Sequence, residues 1–254
     1  MKLITFMPHC RYNPNFANAT FDTHPGANGD GITFTRQFNT PLVGDGVLGL
    51  ISSNDDLYQL MQCNFMVDKN GKRFANESLN TYLLLDALQN LANGEAYVIA
   101  DQNYYENNQE EVDYKIEAGT VTKYETLNEV ITATGINKEE LLQTIESYNA
   151  CVDSNINPEF DLDVTMAHKI TDGPYYVEQA GTYCFGTLRG IKTNAHLSVL
   201  NGDEDIIEGL YGAGELVVGN VFNGQYSKSG GMISYGINSG TLAAKEIISN
   251  LIKK

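Results

Sequence analysis

The rhythm of apolar and polar positions changes several times along the chain, and each rhythm predicts an element. Residues 12–48 hold no sustained period; Gly, Asn, Pro and Thr predominate and predict loops with short elements. Within them His24-Pro25-Gly26-Ala27-Asn28-Gly29-Asp30-Gly31 is a dense turn signal, and Ile32, Phe34 and Phe38 follow on one helical face. Residues 60–76 predict a hairpin. Cys63 to Val67 is its apolar run, Asp68-Lys69-Asn70-Gly71 its turn, and Arg73-Phe74 opens the return strand. Thr81 to Leu91 reads as a buried helix and Ala96 to Ala100 as a buried strand.

Two further helices carry their own start signals. Thr126-x-x-Glu129 precedes Val130 and Ile131. Asn137-x-x-Glu140 precedes Leu141, Ile145, Tyr148 and Val152, which share a face. The cap side chain accepts a bond from an orphan N–H, and the acidic residue suits the positive helix end. Asn107 to Asp113 predicts a solvated face. From Gly173 onward strands dominate: Tyr175–Val177, Thr182–Phe185, and two short ones within Ile191–Leu200 before an acidic turn at Asn201-Gly202-Asp203. A helix from about Ser229 to Leu251 closes the chain, with Ile233, Ile237, Ala244, Ile248 and Leu251 near a 3.6-residue period.

Composition narrows the function classes. The 254 residues are 42% hydrophobic and 19% charged, which suits a globular chain with a core. The net charge of -16 argues against nucleic acid and anionic membrane surfaces as partners. No apolar run is long enough to span a bilayer. The N-terminus is too short and polar for a signal peptide, and the scattered cysteines make a reducing, cytoplasmic setting the expectation. Cys10, Cys63, Cys151 and Cys184 are scattered, as are His9, His24, His168 and His196. No metal-ligand spacing or disulfide framework is present.

The chemistry concentrates in residues 209–240, which hold nine glycines in 32 residues. Glycine serves where backbone approaches backbone or ligand, or where φ is positive. Gly230-Gly231 opens the last helix, whose free N–H groups and roughly half a positive charge suit a phosphate, a carboxylate or the electron-rich edge of a reduced flavin. Ordinary helix–sheet packing accounts for the same glycines equally well. No strand–GxGxxG–helix unit occurs in the chain.

Four ordered segments resemble the fumarate reductase/succinate dehydrogenase flavoprotein family. They are closest in pattern to the soluble flavocytochrome fumarate reductases, urocanate reductases and 3-ketosteroid dehydrogenases. The segments are His24 to Ile32, Val67 to Glu77 (VDKNGKRFANE), Gly173 to Tyr176 (GPYY), and Gly209 to Glu215 (GLYGAGE). The resemblance covers the C-terminal half of such a protein. It implies an α/β with α+β fold, in which a capping domain is inserted in a partial Rossmann-like flavin-binding domain. Residues 1–48 and 181–254 would be the two pieces of the FAD-binding domain, and 49–180 the capping domain. Glu215 would bond hydroxyls of FAD. Ser229, Gly230, Gly231, Met232 and Ile233 would line the pyrimidine edge, where the helix dipole stabilises negative charge. A Rossmann segment supplied in trans is an implied partner.

The chain departs from the family at the substrate. The resemblance implies hydride transfer through flavin N5 and a proton from an arginine acid. At the acid's place stand Thr81 or Tyr82, and no arginine is near. The segment whose histidine holds a carboxylate reads Gly186-Thr187-Leu188-Arg189-Gly190. Lys228 stands where a clamp arginine is expected, and lysine is a point charge without the fork. Tyr82 is therefore the candidate proton donor, or a packing residue of the capping helix. Arg189 and Lys228 are candidate anion binders, or equally surface charges. The expected substrate is an enoate or enone without two free carboxylates, and the reaction is reduction of its C=C bond or the reverse desaturation. Two rivals remain: a steroid-type dehydrogenase with a large apolar pocket, and a non-catalytic ligand- or partner-binding fragment without flavin. Arg73 and Glu77 are expected to pair structurally within the hairpin.

Overall fold

The structure, a computed structural model, describes residues 19–21, 26–53, 60–61, 65–91, 94–156, 159–222, 226 and 229–252. The strands in chain order are β1 (Thr20–Phe21), β2 (Leu42–Val43), β3 (Val47–Ser53), β4 (Met66–Asp68), β5 (Ala96–Ala100), β6 (Val121–Tyr124), β7 (Tyr175–Thr187), β8 (Gly190–Ile191), β9 (Ser198–Leu200) and β10 (Ile206–Tyr211). The α-helices are α1 (Asp30–Thr35), α2 (Thr81–Gln89), α3 (Gln102–Asn107), α4 (Gln109–Glu117), α5 (Leu127–Thr134), α6 (Lys138–Ser154) and α7 (Gly231–Ile252). This is a mixed α/β fold. The chain divides into two compact units, whose described residues lie in 21–49 and 184–252 for the first and in 19–20 and 50–183 for the second.

The second unit is organised by β7. A six-stranded sheet runs β1-β7-β5-β4, with β3 and β6 also pairing with β7. β5 and β6 both run antiparallel to it, in registers that place Val98 and Val121 opposite Glu178. Where the sequence predicts two strands, β7 is one of 13 residues. Flanked by partners and buried along most of its length, it continues through Gly181 without a turn. The expected hairpin is also corrected. The turn at 68–71 forms, with Gly71 N–H donating to Asp68 O at 2.9 Å, but residues 72–76 are not a strand. β4 pairs with β5 instead, Met66 opposite Val98. The return segment turns its arginine inward, as described below.

The helices follow their caps. Thr126 and Glu129 close a reciprocal capping box at α5, and Asn137 Oδ1 accepts from Glu140 N at the start of α6. In α2, Asn80 caps the N-terminus and Leu84, Leu85 and Leu88 are buried. The run 107–113 is largely solvated, yet it contains the start of α4, which buries Val112 and Lys115.

The first unit contains two antiparallel pairs, β2 with β8 and β9 with β10. Its core gathers Ile191, Leu197, Val199, Val217 and Ala243, with Ile32 and Tyr235 packed against them. α7 docks through Ser239 and Ala243, small residues one turn apart that let the helix approach closely. The predicted stripe is not the docking face: Ile233, Ile237, Ile248 and Leu251 are exposed. Backbones meet tightly in this unit. A Cβ on Gly219 would strike the Val43 carbonyl oxygen, and one on Gly190 the Leu216 carbonyl oxygen. Two of the nine glycines at 209–240, Gly212 and Gly219, thus serve close packing, whereas Gly209, Gly214 and Gly230 have positive φ and open space around them.

Candidate functional site

Three separated stretches of the first unit meet around a cavity of about 260 Å³, lined by Gly29, Gly31, Gly186, Arg189, Glu215 and Leu216 among others. Gly29 is the N-cap of α1 with φ of 79°, and a side chain there would enter open space. A Cβ on Gly31 would lie 2.7 Å from a Leu216 methyl, so glycine lets the leucine side chain pack against the backbone there. Glu215 stands in the first turn of the 3-10 helix Gly214–Asn220, exposed. Gly214 N–H donates to the buried Ser239 Oγ of α7 at 3.0 Å, which ties the segment bearing Glu215 to the last helix.

Arg189 lies in the tight connection from β7 to β8 and is half-buried. Its backbone is held on both sides. Leu188, fully buried, donates to Gly46 O at 3.2 Å, and Gly190 pairs with Val43. Two predicted site residues, Glu215 and Arg189, are thereby brought to one cavity across 26 positions of sequence. Gly29, Gly31 and Gly186 belong to the same wall. Sequence reasoning read the first two only as turn formers, although the segment carrying them was one of the four resembling the family.

The start of α7 differs from expectation. Met232 N–H, expected to be free for a ligand, donates to Tyr226 Oη at 3.3 Å. A Cβ on Gly231 would meet the Phe222 and Tyr226 rings at 3.3–3.4 Å. The tip is thus faced on one side by aromatic side chains, because a tyrosine hydroxyl satisfies one of the helix's orphan donors. Ser229, Gly230 and Ile233 are exposed, with Ile233 at 72%. Burial raises the Tyr235 hydroxyl above its usual pKa.

Tyr82 is the second residue of α2, half-buried, in the other unit. Lys228 lies outside the described residues. Arg73 and Glu77 form a buried pair: Nε to Oε1 is 2.7 Å and Nη2 to Oε2 is 2.5 Å. Nη1 donates to Glu159 O, and the guanidinium lies 5.3 Å from the Tyr148 ring centroid. Burial alone would depress this guanidinium. The bonds and charge of Glu77 outweigh it and hold it above the ordinary arginine value.

A second buried pair, Lys115 with Glu178 at 3.0 Å, joins α4 to β7, and Glu178 Oε2 also accepts from Met61 N. Nothing in the local sequence signals it. Among the described residues no cluster of His, Cys, Asp or Glu suits a metal, and no helix is long and apolar enough to cross a membrane. Of the histidines, His168 packs edge-on against Tyr104, and His196 Nδ1 lies 2.9 Å from Glu246 Oε1. Cys151 and Cys184 form no disulfide.

Residues 61–233 match the family described as FAD binding domain. The chain is similar to the NADH:acrylate oxidoreductase of Vibrio harveyi, 31% identical over 207 residues, covering 77% of this chain and 20% of that protein. It is 26% identical over 247 residues to the NADH:fumarate oxidoreductase of Klebsiella pneumoniae, covering 92% of this chain and 26% of that one. The solved 3-ketosteroid delta1-dehydrogenase from Sterolibacterium denitrificans shares the fold, with a TM-score of 0.72 at 21% identity over 89% of this chain and 48% of that chain. The chain thus spans about a fifth to a quarter of the length of these two curated relatives.

Proposed function

The chain belongs to the FAD binding domain family, with FAD as its cofactor, and from that premise we propose that it acts in a FAD-dependent oxidoreductase that reduces, or in reverse desaturates, an activated C=C bond of an enoate or enone. In this reading residues 1–48 and 181–254 are the flavin-binding part and 49–180 the capping domain. The observation that carries it is the cavity joining Glu215 to the glycine wall of Gly29, Gly31 and Gly186. The residues there fit the cofactor's chemistry. Glu215 is an exposed carboxylate acceptor for sugar or ribityl hydroxyls, and open space at Gly29 admits a ligand to backbone distance.

FAD, when bound, supplies hydride chemistry through N5. The chain's own residues do the rest. Glu215 would hold hydroxyls, and Ser229, Gly230, Gly231, Met232 and Ile233 at the start of α7 would line the ring edge. Tyr82 is the proposed proton donor from the capping domain. Lys228 is proposed as an anion binder on the resemblance alone. The exposed stripe of Ile237, Ile248 and Leu251 supports a Rossmann-like segment acting in trans as the partner.

One observation favours the rival, flavin-free reading of a ligand- or partner-binding chain: the Met232 N–H is already bonded to Tyr226. Titration of the purified chain with FAD, followed by visible absorbance and flavin fluorescence, separates the two. Saturable binding, weakened at least tenfold by Glu215→Ala, supports the oxidoreductase. A chain that takes up no FAD supports the rival.

A further inference from the structure

We infer that the second unit carries a ligand site of its own: a polar cavity beside α6 that takes a neutral, polyhydroxylated molecule of sugar size. The inference goes beyond the proposed function and does not rest on it, because this cavity shares no residue with the one that holds Glu215. Its volume is about 420 Å³, room for one or two sugar rings. Helical spacing builds one part of the lining. Glu140, Gln143, Thr144 and Ser147 recur three and four positions apart, a polar stripe flanking the buried Leu141 and Tyr148 of α6. Arg73 and Glu159 supply another part. Arg73 is 9% exposed, and four of its five N–H groups are engaged, by Glu77 twice, by Ala75 O and by Glu159 O. The second N–H of Nη1 remains, on a side chain that lines the cavity.

Charge and hydrogen-bond count set the class. Each cation of the lining already has a carboxylate: Glu77 holds Arg73 through two bonds, and Lys72 Nζ lies 3.3 Å from Glu140 Oε2. The exposed Glu159 leaves one negative charge over, which opposes an anion. A cation would gain chiefly an exposed ion pair, worth little in water. What the cavity offers instead is a mixture of free donors and acceptors. The side chains of Gln143, Thr144 and Glu159 make no hydrogen bond among the described residues, and the Arg73 N–H stands beside them. A hydroxyl both donates and accepts, so several on one small molecule match that mixture. The site is also held in place before a ligand arrives. Glu77 and the Tyr148 ring fix the guanidinium. Phe160 and Asp161 have φ of 69° and 56°, and bonds from Arg73 to Glu159 O and from Asn76 to Asp161 O pin that segment. Left-handed backbone at such residues persists where its surroundings over-determine it, and it clusters at ligand clamps.

The test is calorimetric titration of the full chain at constant ionic strength, with D-ribose, D-glucose, myo-inositol and maltose as neutral probes and with putrescine and sodium malonate as charged ones. At least one neutral probe should bind saturably with a Kd of about 1 mM or tighter, and both charged probes at least tenfold more weakly. Arg73 is left intact because its loss would unfold the unit that carries the site. The variants lie on the solvent side of the lining: Gln143→Ala and Glu159→Gln should each weaken the best probe about three- to tenfold, consistent with one hydrogen bond, and Ser147→Phe, which fills the cavity, should abolish its binding. All three should keep the wild-type circular dichroism spectrum and melting temperature. Non-specific stabilisation by excluded sugar would survive Ser147→Phe unchanged, and that result overturns the inference. So does a panel in which no neutral probe saturates, or one in which putrescine or malonate binds tightest. FAD uptake by the same chain is read separately, so loss of either result leaves the other standing.

Discussion

Replacing Arg73 by methionine removes a buried cation while keeping most of the side-chain volume. Its partner Glu77 is 8% exposed and would keep a hydrogen bond from Met66 N at 3.2 Å. Four other ties vanish with the guanidinium: the bonds to Glu159 O and Ala75 O, and the stacking on Tyr148 and on Phe160. Leaving one member of a buried pair uncompensated costs about 3–5 kcal/mol. Urea unfolding slopes run to about 3 kcal/mol per molar for a chain this size, so the midpoint should fall by at least ~1 M. The chain has no tryptophan, so tyrosine emission and circular dichroism are the signals to follow. Arg73→Lys keeps the charge but loses the fork, and should cost about half as much. The double variant Arg73→Met, Glu77→Leu removes both charges and leaves chiefly the Met66 N–H unpaired, a penalty of about 1–3 kcal/mol. It should therefore be more stable than the single variant. The deficit of the single variant should hardly change between 0.1 and 1 M salt, because buried pairs are weakly screened. A midpoint shift below ~0.3 M for Arg73→Met, or a double variant worse than the single, would refute the claim that this pair sustains the second unit.

Gly219→Ala should destabilise the first unit by about 1–3 kcal/mol, since its Cβ would overlap the Val43 carbonyl; an unchanged melting temperature would show that the unit relaxes there. Thr126→Ala breaks the capping box of α5 and should cost about 1 kcal/mol in chemical denaturation, with Thr126→Ser recovering most of it. The Tyr176 hydroxyl is pushed up to about 12 by burial first and then by Tyr105 and nearby carboxylates. Its folded value lies above the unfolded value of 10.0, so the stability it contributes is complete below pH 10 and is lost as pH rises from there through 12. Tyr176→Phe should flatten the alkaline fall; a parallel fall in the variant would mean other groups carry it.

Features built from neighbouring residues were legible in the sequence by itself. The caps at Thr126 and Asn137, the turn at 68–71 and the pairing of Arg73 with Glu77 each join residues at most four positions apart, and local geometry alone decides such contacts. The FAD-binding ancestry was legible too, because its motifs are backbone-shaping runs of glycine and acidic residues kept in order along the chain. Tertiary structure alone decided the rest. The partner of β4 is 30 residues away, and sheet pairing depends on which edge is left open. Lys115 meets Glu178 across 63 positions. The apolar stripe of α7 is a true helical face, but which face docks depends on where small side chains permit approach, and Ser239 and Ala243 won over larger isoleucines. The cavity is the same kind of fact: Gly29, Gly186, Arg189 and Glu215 become neighbours only after three segments fold together, and no periodicity encodes that meeting.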